Sequence, residues 1–227
     1  MVNEHALGRI VKIDESGAAT ITAVLPNLYH ACDRKYDTVE IILPDGRRIS
    51  PEQRRKIYAL LGEIAEFVDG VRNAETVEDA KNVMKWEFML NRMESQERKL
   101  FSLSDCDMTT ASQFITYLIE FIIHHDIPTR VPLMEQAEDI AAYIIACLVH
   151  RKCAVCGKHA DVHHCEGYKI GAGNNRNEVH HLGRKVLPLC REHHQSCHND
   201  EKYFIEKYHL QPVKLDKSLC KKLKIKE

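Results

Sequence analysis

At 227 residues, with 44% hydrophobic and 29% charged side chains, the chain is long enough for one large domain or two small ones, and its composition excludes the unusual compositional classes. No apolar run reaches the ~18 residues of a membrane span, and the opening MVNEHALGR lacks the apolar stretch of a signal peptide, which points to a cytoplasmic protein without a membrane partner. The formal net charge of −1 hides an acidic first part and a basic last third, and nine cysteines, an odd number, fit a reducing compartment and metal ligation better than disulfides.

The elements predict an α+β fold. GRIVKIDESGAATITAV, residues 8–24, places two β-rich runs around a Glu-Ser-Gly turn, and VEIILPDGRRIS, residues 39–50, repeats the design around Asp45-Gly46. Ser50, Pro51 and Gln53 then form a helix start, followed by Ile57, Leu60, Leu61, Ile64, Phe67, Val68 and Val71 at helical spacing. A second helix is expected from Thr76 through Trp86 to Leu90, opened by the Thr76/Asp79 pair. FSLS, residues 101–104, reads as a short strand. Asp105, Cys106 and Asp107 read as acidic capping of a third helix, about Thr109 to His125, which Ile127-Pro128 closes. A fourth helix is expected from about Met134 to His150, and the closing KLDKSLCKKLKIKE reads as a basic, partly disordered tail.

Charge and ligand-type residues coincide in the last third. Residues 1–150 hold 16 Lys+Arg against 24 Asp+Glu, a net of −8, whereas residues 151–227 hold 16 against 9, a net of +7. Nine of the fourteen histidines and six of the nine cysteines lie in that basic part, which points to a polyanion partner, nucleic acid. Cys153 and Cys156 have the spacing of a zinc knuckle, and Cys190 and His193 repeat it, so the four complete a closed structural zinc site. His194 and His198 stand four apart in a helical segment and project from one face, where both could bind one ion. His163 and His164, in ADVHHC, are neighbours on a β-type run and point to opposite faces, so one can face a metal while the other faces a substrate. His159, Cys165, His180 and Cys197 leave room for a second structural zinc.

CAVC, DVHH and LPLCREHHQSCH, spread over about Lys152 to Tyr208, resemble the zinc-binding variant of the HNH endonuclease motif. The resemblance implies a ββα-metal fold in which a hairpin and a helix hold one divalent ion, Mg²⁺ or Mn²⁺, against a DNA phosphate. Carried over residue by residue, His164 resembles the general base, and His163 and His194 resemble ligands of the catalytic ion, with His198 as a further one. Lys185 stands where the family has an asparagine that braces the loop between the strands. Asn174, Asn177 and His181 are the candidates for that work, and His181 is counted with His163 and His164 as catalytic. Arg176 in GAGNNR, with Arg184 and Lys185, are the expected DNA contacts of this part. The implied hydrolysis leaves 5′-phosphate and 3′-hydroxyl ends.

The order of the first segments, strand hairpins, then RRISPEQRRKIYALLGEIAEFV, a helix with WEFML, and FSLSDCDMTTASQFITYLIEFI, resembles the NinB (Orf) recombination mediators of lambdoid phages. That resemblance implies a homodimer that binds single-stranded DNA or single-strand-binding protein and helps load a host recombinase. Arg54 and Arg55, beside Gln53 and Lys56, are then candidate DNA contacts. The expectation is a two-part chain, residues 1–150 as this domain and 151–227 as a zinc-braced HNH nuclease with a basic tail. It would be a phage endonuclease acting on single-stranded or branched DNA in recombination or replication. The alternative is a mediator whose zinc module only grips DNA.

Overall fold

The computed structural model describes residues 8–24, 33, 46–91, 101–165, 167 and 179–226. Asp14 builds the first turn, its carboxylate accepting from the Ser16 N–H at 2.9 Å, the Ala18 N–H at 3.0 Å and the Ser16 hydroxyl at 2.6 Å. Gly17 adopts φ 86°, a value that favours glycine. The turn joins β1 (Gly8–Ile13) to β2 (Ala19–Ala23) in an antiparallel hairpin that is largely exposed on both faces. Most of the expected second hairpin lies outside the described residues. Its end runs beside residues 106–108, with Ile49 N–H donating to Cys106 C=O at 2.8 Å and Met108 N–H to Arg47 C=O at 2.9 Å.

The helix α1 (Pro51–Asp69) begins with a reciprocal box, Ser50 Oγ accepting from Gln53 N–H at 3.0 Å and Gln53 Oε1 from Ser50 N–H at 3.1 Å. It ends at Gly70, whose N–H donates to Glu66 C=O and whose φ of 74°, in the left-handed region, turns the chain out of the helix. Ile57, Leu60, Leu61, Ile64 and Ala65 are buried along it, whereas Phe67, Val68 and Val71, expected on the same face, are exposed. The next helix, α2 (Ala74–Asn91), is opened by Asn73 and Thr76 rather than Thr76 and Asp79. Asn73 Oδ1 accepts from Thr76 N–H at 2.9 Å while Asn73 N–H donates to Thr76 Oγ1 at 3.1 Å.

FSLS is the start of a turn and not a strand, because Ser102 C=O accepts from both Asp105 and Cys106 N–H. Asp107 caps α3 (Met108–His124), accepting from Thr110 N–H at 2.7 Å, as its acidic flank predicts. The fourth expected helix is two, α4 (Leu133–Gln136) and α5 (Ile140–Val149). Ala137 is extended (φ −67°, ψ 133°), and Asp139 recaps the chain by accepting from Ala142 N–H.

The rest forms a three-stranded antiparallel sheet, β3 (Asp161–His164), β4 (Lys185–Leu189) and β5 (Val213–Lys214) in the order β3-β4-β5, with α6 (Arg191–Asn199), α7 (Glu201–Lys207) and α8 (Lys217–Leu223). The closing segment is therefore not a disordered tail. Leu215, Leu219, Cys220 and Leu223 are buried in it while Lys217, Lys221 and Lys222 stay outside. Packing is continuous: α1 contacts α2 and α3, α3 contacts α5, and α5 contacts β4, β5 and α8. Each fully buried Leu or Ile in the shared core contributes about 1.5–3 kcal/mol. The architecture is α+β, as the order of elements predicts. Among the described residues no helix is long and apolar enough to cross a membrane.

Candidate active site and metal centres

A tight turn between Lys152 and His159 carries the first pair of ligands. Gly157, at φ 69°, donates its N–H to Cys153 C=O at 2.8 Å, and Cys153 N–H bonds Lys158 C=O at 2.7 Å, which folds Cys153 and Cys156 onto one side. Ala154 N–H bonds Pro188 C=O at 3.0 Å and ties the turn to β4. That strand leads directly to Cys190, the N-cap of α6, and one turn later to His193.

The four donor atoms lie within 4.8 Å of one another. Cys190 Sγ is 3.2 Å from His193 Nδ1, Cys153 Sγ is 3.5 Å from the same atom, and Cys156 Sγ is 3.7 Å from Cys190 Sγ. Zn–S bonds of about 2.3 Å at a tetrahedral angle place two sulfurs about 3.8 Å apart, so this donor set fits zinc in both chemistry and spacing. Burial works to raise the pKa of the Cys190 thiol. The His193 backbone N–H and hydrogen bonds from Cys156 and Cys153 outweigh burial and bring it below its ordinary value, towards the thiolate that a metal needs.

A second cluster forms where β3 meets α6. Alternation along β3 turns His163 inward, fully buried opposite Leu187 of β4, and turns His164 the other way. His194 and His198 stack on one face of α6, with ring centroids 4.9 Å apart and 4.7 and 4.8 Å from His163. Their three donor atoms also lie within 4.8 Å of one another. His163 Nδ1 is buried and has no hydrogen-bond partner among the described residues. A metal ion is a partner that would satisfy it. Burial, reinforced by electrostatic repulsion from His194 and His198, pushes His163 down to about 4, so its imidazole is uncharged at neutral pH.

Cys165, one residue past the end of β3, is buried near the same imidazole, and with His163 and the half-buried Glu201 it forms a third close group. Neither residue was anticipated as a neighbour of His163, although the period of two in a strand places Cys165 on its face. The second structural zinc for which His159, Cys165, His180 and Cys197 leave room does not assemble among the described residues. Cys197 Sγ instead lies 3.4 Å from His163 Nε2, and His159 and His180 are exposed.

His164 meets His181, with Nε2 and Nδ1 2.9 Å apart. His181 is itself buried and anchored, its N–H donating to Lys226 C=O at 3.0 Å and its C=O accepting from Arg184 N–H at 3.1 Å. Lys185, where the asparagine was sought, is exposed on β4 in register with Lys214. The loop contact to His164 thus comes from four residues earlier.

A family described as "Putative HNHc nuclease" matches residues 31–226 of this chain. The chain belongs to that HNHc nuclease family. A stretch of 57 residues is 46% identical to the uncharacterized protein YdfU of Escherichia coli (strain K12), covering 25% of this chain and 15% of that protein. No solved structure matches the chain.

The other expected nucleic-acid contacts are placed less uniformly. Arg176 lies outside the described residues, as do Asn174 and Asn177, the other candidates for the loop brace. Arg184 is half-buried, its Nε donating to His180 C=O at 2.8 Å, and Lys185 is open to solvent. In α1, Gln53 is buried and bonds Met108 C=O and Glu138, while Arg54 donates to Leu103 C=O and Ser104 C=O, both at 2.9 Å. Arg55 is exposed and shares an open groove with Arg54, Tyr58 and Arg72.

Proposed function

We propose that the chain is a metal-dependent DNA endonuclease of the HNH class, braced by one zinc and cutting at a second ion held by His163, His194 and His198. The observation that carries this reading is the buried, unpartnered His163 Nδ1 beside two helix histidines, with His164 next to it in sequence but turned to the opposite face. A divalent ion in that cluster supplies positive charge for the scissile phosphate and the leaving 3′ oxygen.

His164 acts as the general base. An imidazole accepts a proton near neutral pH, and a positioned base contributes on the order of 10²–10⁴ in rate. The contact with His181 decides which nitrogen serves. If His164 Nε2–H donates to His181 Nδ1, the lone pair lies on His164 Nδ1, which is then the nitrogen that takes a proton from the attacking water. His181 so does the bracing expected at Lys185. The basic residues Arg176, Arg184 and Lys185 are the proposed contacts to the DNA backbone.

Three imidazoles are a nitrogen set. Mg²⁺ prefers oxygen ligands and retains water, whereas imidazole suits transition ions, so of the two ions expected, Mn²⁺ fits these residues better. The recombination or replication setting, the homodimer, and partnership with single-strand-binding protein or a host recombinase rest on the resemblance of residues 1–150 alone. In that reading residues 1–150 position the nuclease of residues 151–227 on phage DNA, with Arg55 better placed than Arg54 to touch it.

Zinc-loaded protein should nick supercoiled plasmid in Mn²⁺, more slowly in Mg²⁺ and not in excess chelator, and DNA ligase should seal the nicks. DNA binding without cutting under any of these ions would instead favour a mediator that only grips DNA.

A further inference from the structure

Glu201 stands at the start of α7, directly after the cap Asp200, and its Oε2 lies 3.5 Å from His163 Nε2 with the side chain only 11% exposed. The two nitrogens of His163 have different surroundings. Nε2 faces the Glu201 carboxylate and, at 3.4 Å, the Cys197 sulfur, whereas Nδ1 is buried without a partner among the described residues. A neutral imidazole carries one N–H and one lone pair, and a carboxylate is an acceptor only. The proton therefore belongs on Nε2, facing Glu201. The lone pair is left on Nδ1.

We propose that Glu201 is a positioning residue that holds His163 in its Nε2–H form, presenting the Nδ1 lone pair to the ion shared with His194 and His198. This rests on the reading of the three histidines as one ion site. A carboxylate behind a metal-bound imidazole fixes both the tautomer and the ring orientation and makes the ligand nitrogen more basic. Cys197 is a poorer partner for the same N–H, because a thiol sulfur is a weak acceptor. The sequence places Glu201 three residues beyond His198, but the break at Asp200 starts a new helix and lets the carboxylate turn back towards β3.

The test uses the full zinc-loaded chain and Co²⁺ as the probe of the second site, read by its visible absorption. Glu201→Ala is expected to weaken Co²⁺ binding by about 10–100-fold. Glu201→Gln, which keeps the shape and one acceptor oxygen, should lose less. In the ion-free protein, nitrogen NMR should find His163 protonated on Nε2 and find that preference lost in Glu201→Ala. Thermal melts matched to wild type exclude a folding defect, and if the alanine variant does not fold, the glutamine variant carries the test. Wild-type Co²⁺ affinity in both variants, or a His163 proton on Nδ1 in the wild type, would overturn the assignment. A cobalt–thiolate charge-transfer band at the second site would overturn it too, by making Cys165 or Cys197 a ligand. If His163→Ala leaves Co²⁺ affinity unchanged, the ion site itself fails and the role of Glu201 goes with it.

Discussion

His164 Nε2 and His181 Nδ1 approach to 2.9 Å, joining a strand residue to a loop residue seventeen positions on. If this contact orients the base, His181→Ala should slow single-turnover cleavage on the order of 10-fold, less than the 10²–10⁴ expected from losing the base itself. His181→Asn, which restores the family's side chain at a new position, should recover part of the rate. An alanine variant as fast as wild type would remove His181 from the mechanism.

The cluster of Cys153, Cys156, Cys190 and His193 predicts one tightly held zinc per chain, and none when Cys190 is replaced by alanine. Structural zinc binding contributes several kcal/mol to folding, so stripping the ion should lower the melting temperature by about 10 °C or more for a chain of this size. Calorimetry before and after metal removal checks this, and an unchanged melt would contradict a structural role. His163→Ala should keep its zinc, because the two clusters share no ligand.

Local signals made much of this legible and long-range ones did not. Ser50 and Gln53 announce α1 because both partners of the box lie within one turn, and the neighbours His163 and His164 announce two faces because strand side chains alternate. Apolar spacing runs on across Ala137 and carries no sign of the extended backbone there that separates α4 from α5. The closing segment resembles a disordered tail in composition because its lysines dominate, while Leu215, Leu219 and Leu223, four apart, form the buried stripe. His181 and Glu201 reach the site through tertiary folding, which neither spacing nor composition records.

The buried closing helix gives a clear stability test. Leu219→Ala and Leu223→Ala should each cost about 2–4 kcal/mol, as other large-to-small core changes do, measured by urea unfolding. A disordered tail would leave both variants as stable as wild type.

Asp107 predicts a pH dependence. Burial works to raise its pKa, but the Thr110 hydroxyl and the backbone N–H groups at the start of α3 outweigh it and hold the carboxyl below its ordinary value. With the folded value below the unfolded one, the stabilisation is complete above the unfolded carboxyl pKa of about 3.9 and is lost as pH falls through the folded value. Asp107→Ala should therefore cost about 1 kcal/mol at neutral pH and progressively less below about pH 4. Urea midpoints for both proteins at pH 7 and pH 3 decide it; an undiminished gap at the lower pH would show that the charge of the cap is not involved.

Single-turnover cleavage of plasmid DNA in Mn²⁺, timed for wild type and His164→Ala with zinc and manganese counted in both proteins, separates the role of the base from that of the ions. With His164 as the base, His164→Ala should keep both ions and cut on the order of 10²–10⁴ more slowly. Cutting at the wild-type rate by His164→Ala with both ions in place would contradict it.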